Sequence, residues 1–246
     1  MSAAGNTEPC GFEIMKLLCQ HQGTSMCISE GVIEATAKKT GRCGYDIMKL
    51  LCQHRGKSLH ISEDVFKAEA GNTGPCGYEI VKLLCQHRGP SLLITEEVLK
   101  AVAGNNGDYR NGVTIMNLFR QQRTTSLPIS GDVVKAAAGN NGYYGVGAEI
   151  IKHLLQDLGE SLPISEEVVR TAAGNPGSCG EKIMELLFQR EEVSLLISEK
   201  VVRATVGNVG KGHGIPMLLF QSRGTDLPVS ERNCGRSCSE YWTFCI

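Results

Sequence analysis

Apolar residues fall along the chain in two kinds of block that alternate from one end to the other. The first kind is typified by ITEEVLKAVAGN, residues 94–105, where Val98, Leu99 and Ala103 carry the apolar face. Thr95 predicts a helix N-cap, and Glu96 and Glu97 favour the positive end of the helix dipole. Ile94 and Leu99 have the spacing of a hydrophobic staple. Gly104 is expected to end the helix in the left-handed conformation. The same design returns from Ser29, Ser62, Ser130, Ser165 and Ser198. Each copy predicts a helix of about nine residues, too short to hold without packing. The second kind is CGYEIVKLLCQHRG, residues 76–89, with Ile80, Val81, Leu83 and Leu84 at helical spacing. Ile80, Leu83 and Leu84 are its expected packing face. Equivalent trios are Ile14, Leu17 and Leu18, and Ile47, Leu50 and Leu51. A glycine closes this helix at Gly23, Gly56, Gly89 and Gly159. Between the helices runs a short extended link, such as SLPIS at 126–130 and 161–165, too short for a sheet of its own.

The dipeptide Gly-Asn serves as a ruler. It stands at Gly5, Gly71, Gly104, Gly139, Gly174 and Gly207, with Lys38-Lys39 in the remaining slot, and the steps are 33, 33, 33, 35, 35 and 33 residues. Columns line up behind it. Val32, Val65, Val98, Val133, Val168 and Val201 share one position, and Ala37, Ala70, Ala103, Ala138 and Ala173 another. Small residues there let neighbouring helices approach closely. One unit of two short antiparallel helices cannot bury both apolar faces, whereas stacked units bury a continuous core. The pattern therefore predicts an all-α fold, an α-solenoid of about six to seven helix-turn-helix repeats. The repeat region is expected to run over 1–232 as a single domain. The remainder, 233–246, matches no column and is expected to be unstructured. The opening MSAAGN has the form of the last turn of a short helix, and LPVSE at 227–231 starts a seventh one. No polar capping unit is apparent at either end, so a fragment of a longer array is one expectation.

Two resemblances rest on these residues. AGNTGPCGYEIVKLL is similar to the middle of an ankyrin repeat, where an Ala-rich helix leads through Asn-Gly into a Glu-Ile-Val-Lys-Leu-Leu helix. The ankyrin Thr-Pro-Leu-His signature is absent, its place taken by Ile-Ser/Thr-Glu-Glu-Val-Val. The closer likeness, ITEEVVKAAAGN…GKEIMxLLLxxRG in outline, resembles the C-terminal repeat arrays of fungal proteins with a NACHT or NB-ARC nucleotide-binding domain, the STAND-type NTPases. It covers the chain from Ala3 to about Arg232. It implies a protein-interaction or ligand-sensing scaffold derived from a receptor-like NTPase. The nucleotide-binding domain itself has no counterpart in these residues.

Composition narrows the partners. The formal net charge is −1, which gives no electrostatic footprint for nucleic acid or an anionic membrane. No apolar run reaches the ~18–20 residues that span a bilayer. The N-terminus shows no signal-peptide pattern, so the eleven cysteines are expected to be reduced thiols of the cytosol or nucleus, with the cytoplasm the expected location.

Cysteine is nevertheless the first candidate chemistry. Cys85 and His87 lie two apart on a helix and point about 200° from each other. Cys76 and Cys85 are roughly 13 Å apart along a helix if both are helical. One zinc with ~2.0–2.3 Å bonds cannot gather them. A disulfide, which needs Cα atoms within about 7 Å, cannot join them. The Cys19, Cys52, Cys85 column continues as Arg120, Leu155 and Phe188, so small semi-buried hydrophobes are the better reading. A cysteine-based metal or thiol protein stays as an alternative, with Cys234, Cys238 and Cys245 of the tail its weakest candidates. GNVGKGHG, residues 207–214, lacks the Gly and Ser/Thr of a phosphate loop. No Ser, His and Asp are placed together, and the Glu-Glu pairs have a capping explanation. Neither a catalytic set nor a cofactor or metal site is expected.

The two 35-residue steps stand out. Each adds two residues to a loop, GNNGDYRNG at 104–112 and GNNGYYGVG at 139–147. They bring Tyr109, Arg110, Tyr143 and Tyr144 into adjacent loops along one edge. Tyr and Arg are favoured at binding hot spots, and loops carry function on rigid scaffolds. These four are the candidate site for a protein or peptide partner. The alternative from another class is a gene fragment without independent function.

Overall fold

The computed structural model describes residues 10–22, 28–89, 93–122, 126–176, 178–206, 214–223 and 226–228. The Gly5-Asn6 and Gly207-Asn208 steps, Gly23, most of the glycine-rich 207–214 stretch and the tail with Cys234, Cys238 and Cys245 lie outside them. The chain divides into two compact units, Met1–Pro128 and Ile129–Ile246.

The first unit holds α1 (Cys10–Gln22), α2 (Glu30–Ala37), α3 (Arg42–Arg55), α4 (Glu63–Ala70), α5 (Gly77–Arg88), α6 (Glu96–Ala103) and α7 (Asn111–Gln122). Short and long helices alternate. Each short helix packs on the long helix after it: α2 on α3, α4 on α5, α6 on α7. Long helices also pack in a row from α1 to α7, and short ones from α2 to α6. The second unit repeats the scheme with α8 (Gly131–Ala138), α9 (Val146–Leu158), α10 (Glu166–Ala173), α11 (Ser178–Leu187), α12 (Glu199–Val206) and α13 (Gly214–Arg223). Each unit is a length of α-solenoid, and among the described residues there is no strand.

The short helices start where the sequence places them. The hydroxyls of Ser62, Thr95 and Ser130 accept the N–H of Val65, Val98 and Val133 at 3.3–3.4 Å. Two cap hydroxyls also donate backwards, Thr95 to the Glu63 carboxylate at 2.6 Å and Ser198 to Glu166 at 2.7 Å. Those glutamates, explained by capping alone in the sequence, therefore also tie one repeat to the next. Glu97 receives Lys100 at 2.8 Å and Lys67 of the preceding repeat at 3.2 Å. Lys100 first, then Lys67, hold its carboxyl below the usual range. Arg170 and Lys135 treat Glu167 the same way in the second unit.

Two expectations are corrected. Gly71, Gly104, Gly139 and Gly174 end the short helices with φ near −85°, not in the left-handed region. The chain stays right-handed there, and the Asn that follows is buried. The positive φ values sit instead at Gly56, Gly89 and Gly159, 49°, 55° and 51°, where the long helices stop. Only glycine takes such a conformation without strain. The second correction concerns the packing face of the long helix. Ile80, Val81 and Leu84 are fully buried, whereas Leu83 is half-exposed. Residue i+3 lies at the edge of a face centred between i and i+1.

The links bury their apolar side chains without forming a strand. Leu59, Ile61, Ile94, Leu162 and Ile197 are all buried. Arg190 clamps the link behind it, donating to the carbonyls of Leu162 and Glu160 at 2.9 Å. Phe66 and Phe119 meet at 5.8 Å between ring centroids in the first unit.

Candidate functional site

The connection from a short helix to its long helix carries a recurrent set of buried polar contacts. Asn72, Asn105, Asn140 and Asn175 are buried in four of these connections, and Lys39 is buried in the corresponding place between α2 and α3. The side-chain carbonyl accepts the N–H two residues on, Asn72 from Gly74 at 2.9 Å, Asn105 from Gly107 at 3.3 Å and Asn140 from Gly142 at 2.9 Å. The side-chain amide reaches back one repeat. Asn72 donates to the Lys39 carbonyl, Asn105 to those of Ala70 and Asn72, and Asn175 to those of Ala138 and Asn140, at 2.8–3.2 Å. Buried main-chain carbonyls are thus satisfied by the next repeat, and each such bond stabilises by about 1 kcal/mol net.

Two glycines let the connections nest this closely. A Cβ at Gly74 would stand 2.0 Å from the Thr40 carbonyl oxygen, and one at Gly107 2.6 Å from that of Thr73. At the start of the long helices, a Cβ at Gly77 would meet the Asn72 oxygen at 2.5 Å, at Gly147 the Ala137 oxygen at 2.4 Å, and at Gly180 the Asn175 oxygen at 2.3 Å. The residue before that glycine donates as well: Asn111 to the carbonyls of Asn72 and Gly74, and the Cys179 thiol to Asn140 at 3.1 Å. None of these roles was extracted from the sequence. The signal was present as the recurrent Gly-Asn-x-Gly, used there only as a ruler.

Onto this latch the two long loops are grafted. In the first unit Asn111 is anchored to the loop behind it, so the two extra residues of 104–112 are pushed outward. Tyr109 is 57% exposed, and Arg110, also exposed, adopts φ 55°. In the second unit Tyr143–Gly145 forms a 3₁₀ turn with Tyr143 and Tyr144 73% and 74% exposed. Tyr144 has φ 67° and Gly145 φ 69°. Arg110 and Tyr144 are the non-glycine residues with positive φ among those described. Backbone strain of this kind concentrates at functional sites. The four predicted site residues are therefore solvent-facing, two in each unit.

Cys19, Cys52, Cys85 and Cys179 are buried and outside any disulfide. Burial pushes the Cys52 thiol up to about 11 and the Cys85 thiol up to about 12, away from the reactive thiolate. Among the described residues no three His, Cys, Asp or Glu side chains gather as a metal site would require. One buried acid was also missed. Glu69 is fully buried beside Asn72, which donates to one of its carboxylate oxygens at 3.1 Å, and the other oxygen has no partner. Burial raises its carboxyl to about 8, against the lowering by Asn72. Val102, Ala137 and Ala172 occupy its column in later repeats. No described helix is long and apolar enough to cross a membrane.

Comparison with protein families matches five successive segments, residues 50–80, 83–116, 121–145, 154–184 and 186–215, to a domain of unknown function (DUF7104). Together they cover more than half of the chain. No match is found among curated proteins or among solved structures.

Proposed function

We propose, from the premise that the chain belongs to the DUF7104 family and strings its repeat in tandem, that it is a scaffold whose long loops bind a protein or peptide. The observation that carries this reading is the pairing of exposed tyrosines with strained backbone. Tyr109, Tyr143 and Tyr144 hold large aromatic surface in solvent, and Arg110 and Tyr144 hold the left-handed region. Exposed aromatic side chains on a rigid frame lose little conformational freedom on binding, which suits them to anchor a partner. The latch of buried Asn and close-packed Gly supplies that frame.

The reading is one of recognition rather than catalysis, with no cofactor. The resemblance of the repeats to arrays beside NACHT or NB-ARC domains supports a finer version. In it the array is the sensing part of a receptor-like NTPase and meets its partner in the cytoplasm.

The test is affinity capture from the source organism with the wild-type chain and a Tyr109→Ala/Tyr143→Ala/Tyr144→Ala variant of equal melting temperature. The reading expects specific partners of the wild type to be lost with the variant. Undiminished recovery would sink it.

A further inference from the structure

Asn-Gly occurs at three places in the chain, Asn106-Gly107, Asn111-Gly112 and Asn141-Gly142. All three fall within the two lengthened stretches, 104–112 and 139–147. Where other connections read Gly-Asn-Thr-Gly or Gly-Asn-Pro-Gly, at 71–74 and 174–177, the lengthened ones read Gly-Asn-Asn-Gly. The three settings differ. Asn106 and Asn141 are exposed. Asn111 is buried at the start of α7, and its amide donates to the carbonyls of Asn72 and Gly74 at 3.0 and 2.7 Å.

An asparagine before glycine can react with its own backbone. The glycine nitrogen gives up its proton and attacks the asparagine Cγ. The new N–Cγ bond closes a five-membered succinimide, the bond from Cγ to the amide nitrogen breaks, and ammonia leaves carrying that proton. Water then opens the ring. Attack at the side-chain carbonyl gives aspartate, and attack at the main-chain carbonyl gives isoaspartate, in which the chain runs through the β-carbon. Glycine favours the ring because it has no Cβ to obstruct the approach and its backbone turns freely.

We propose that Asn106 and Asn141 are sites of this spontaneous deamidation and isomerisation, and that the buried Asn before each sets the pace. Asn105 Oδ1 holds the N–H of Gly107 at 3.3 Å, and Asn140 Oδ1 holds that of Gly142 at 2.9 Å. The attacking nitrogen is tied up while the connection is closed, so the ring forms through local openings of the loop. At Asn111 the amide is fixed on two carbonyls out of reach of water, and the same dipeptide is inert. Either product puts a carboxylate where a neutral amide stood, in the first loop near Asp108. Isoaspartate also lengthens the backbone between the anchored Asn and the exposed tyrosines. The sites stand whether or not those loops bind a partner.

Ageing of the full chain in mildly alkaline buffer, followed by peptide mapping that separates Asn, Asp and isoaspartate, tests this. In the folded chain, both products are expected to accumulate at Asn106 and Asn141 while Asn111 stays intact. In urea all three are expected to convert, the two loop sites at least about tenfold faster than in the folded chain. Asn140→Ala releases the N–H of Gly142 and is expected to speed conversion at Asn141, with an intact Asn111 as the sign that the fold is kept. Asn141→Gln, whose longer side chain would have to close a six-membered ring, is expected to suppress conversion at that position. A folded chain that keeps Asn106 and Asn141 intact while the unfolded chain converts overturns the sites. Equal rates in the folded and unfolded chain overturn the control by the buried Asn, and conversion of Asn111 in step with the loops overturns the protection assigned to its setting.

Discussion

Helices α1 and α3 share almost one sequence, CGFEIMKLLCQHQ and CGYDIMKLLCQHR. Ile14 is nonetheless 42% exposed while Ile47 is fully buried, and Leu18 and Leu51 differ in the same way. Local sequence makes the helix in both places, through apolar residues at helical spacing. The helices packed against them, α1 and α2 in the case of α3, decide whether those residues form core. In a solenoid, stability is a property of interfaces between neighbours rather than of any single unit.

Deleting the same side chain in both places breaks that comparison most sharply. Ile47→Ala is expected to lower stability by about 2–5 kcal/mol, because it opens a cavity in packed surroundings. Ile14→Ala is expected to lower it by less than about 1 kcal/mol, because solvent already reaches the side chain. Urea denaturation midpoints at constant slope measure both. Equal losses would mean that α1 is covered as well as α3.

Glycines give the next contrast. Gly77→Ala drives a Cβ to 2.5 Å from the Asn72 oxygen and 2.7 Å from the Asn111 amide nitrogen. It is expected to cost about 2–3 kcal/mol, in the range for overpacking a close contact. Gly104→Ala meets nothing nearer than 3.3 Å at φ −83° and is expected to be neutral or to stabilise by up to about 1 kcal/mol. A left-handed Gly104 would have predicted the opposite sign, so this pair checks the correction directly. Asn105→Ala removes two bonds to the preceding repeat, of which the Asn72 carbonyl keeps its other donor, Asn111, for an expected loss of about 2 kcal/mol.

Glu69 adds a pH dependence to one repeat that its neighbours lack. In the folded chain burial raises its carboxyl from the ordinary 4.5 to about 8. Between those values the folded chain keeps a proton that the unfolded chain releases, so stability falls as pH rises from about 4.5 to 8 and levels off above. Glu69→Ala, which copies Ala137 and Ala172, is expected to flatten that slope and stabilise the chain at pH 8 by at least about 1 kcal/mol. Asn72 keeps its bond to the Lys39 carbonyl in that variant and loses the one to the Glu69 carboxyl. Thermal melts at pH 5 and pH 8.5 read the difference.

The sequence carried the repeat length, the helix order, the caps at Ser62, Thr95 and Ser130 and the columns of the core, because these are local or periodic signals. It did not carry the function of Asn72, Asn105 and Asn175. A buried amide makes sense only once the unpaired carbonyl of a residue some 33–35 positions earlier is in view. Gly77 and Gly147 were illegible for the same reason, since their neighbours are main-chain atoms of a loop and not a sequence pattern. Of the candidate site, the exposure of Tyr109, Tyr143 and Tyr144 followed from the two extra loop residues. The left-handed backbone at Arg110 and Tyr144 did not, because neither residue type announces it. Glu69 was hidden by its setting: an acid in a short amphipathic helix counts as surface until its column turns out to face the core.

Hydrogen exchange on α1 and α3 in dilute protein tests the central claim most directly. Their peptides differ at Phe12-Glu13 and Tyr45-Asp46 and can be followed separately. If the helices packed against α3 confer its burial, amides of α1 exchange at least about tenfold faster than their counterparts in α3. Equal protection of the two helices would contradict it, and would place the source of their stability in the shared sequence instead of the stack.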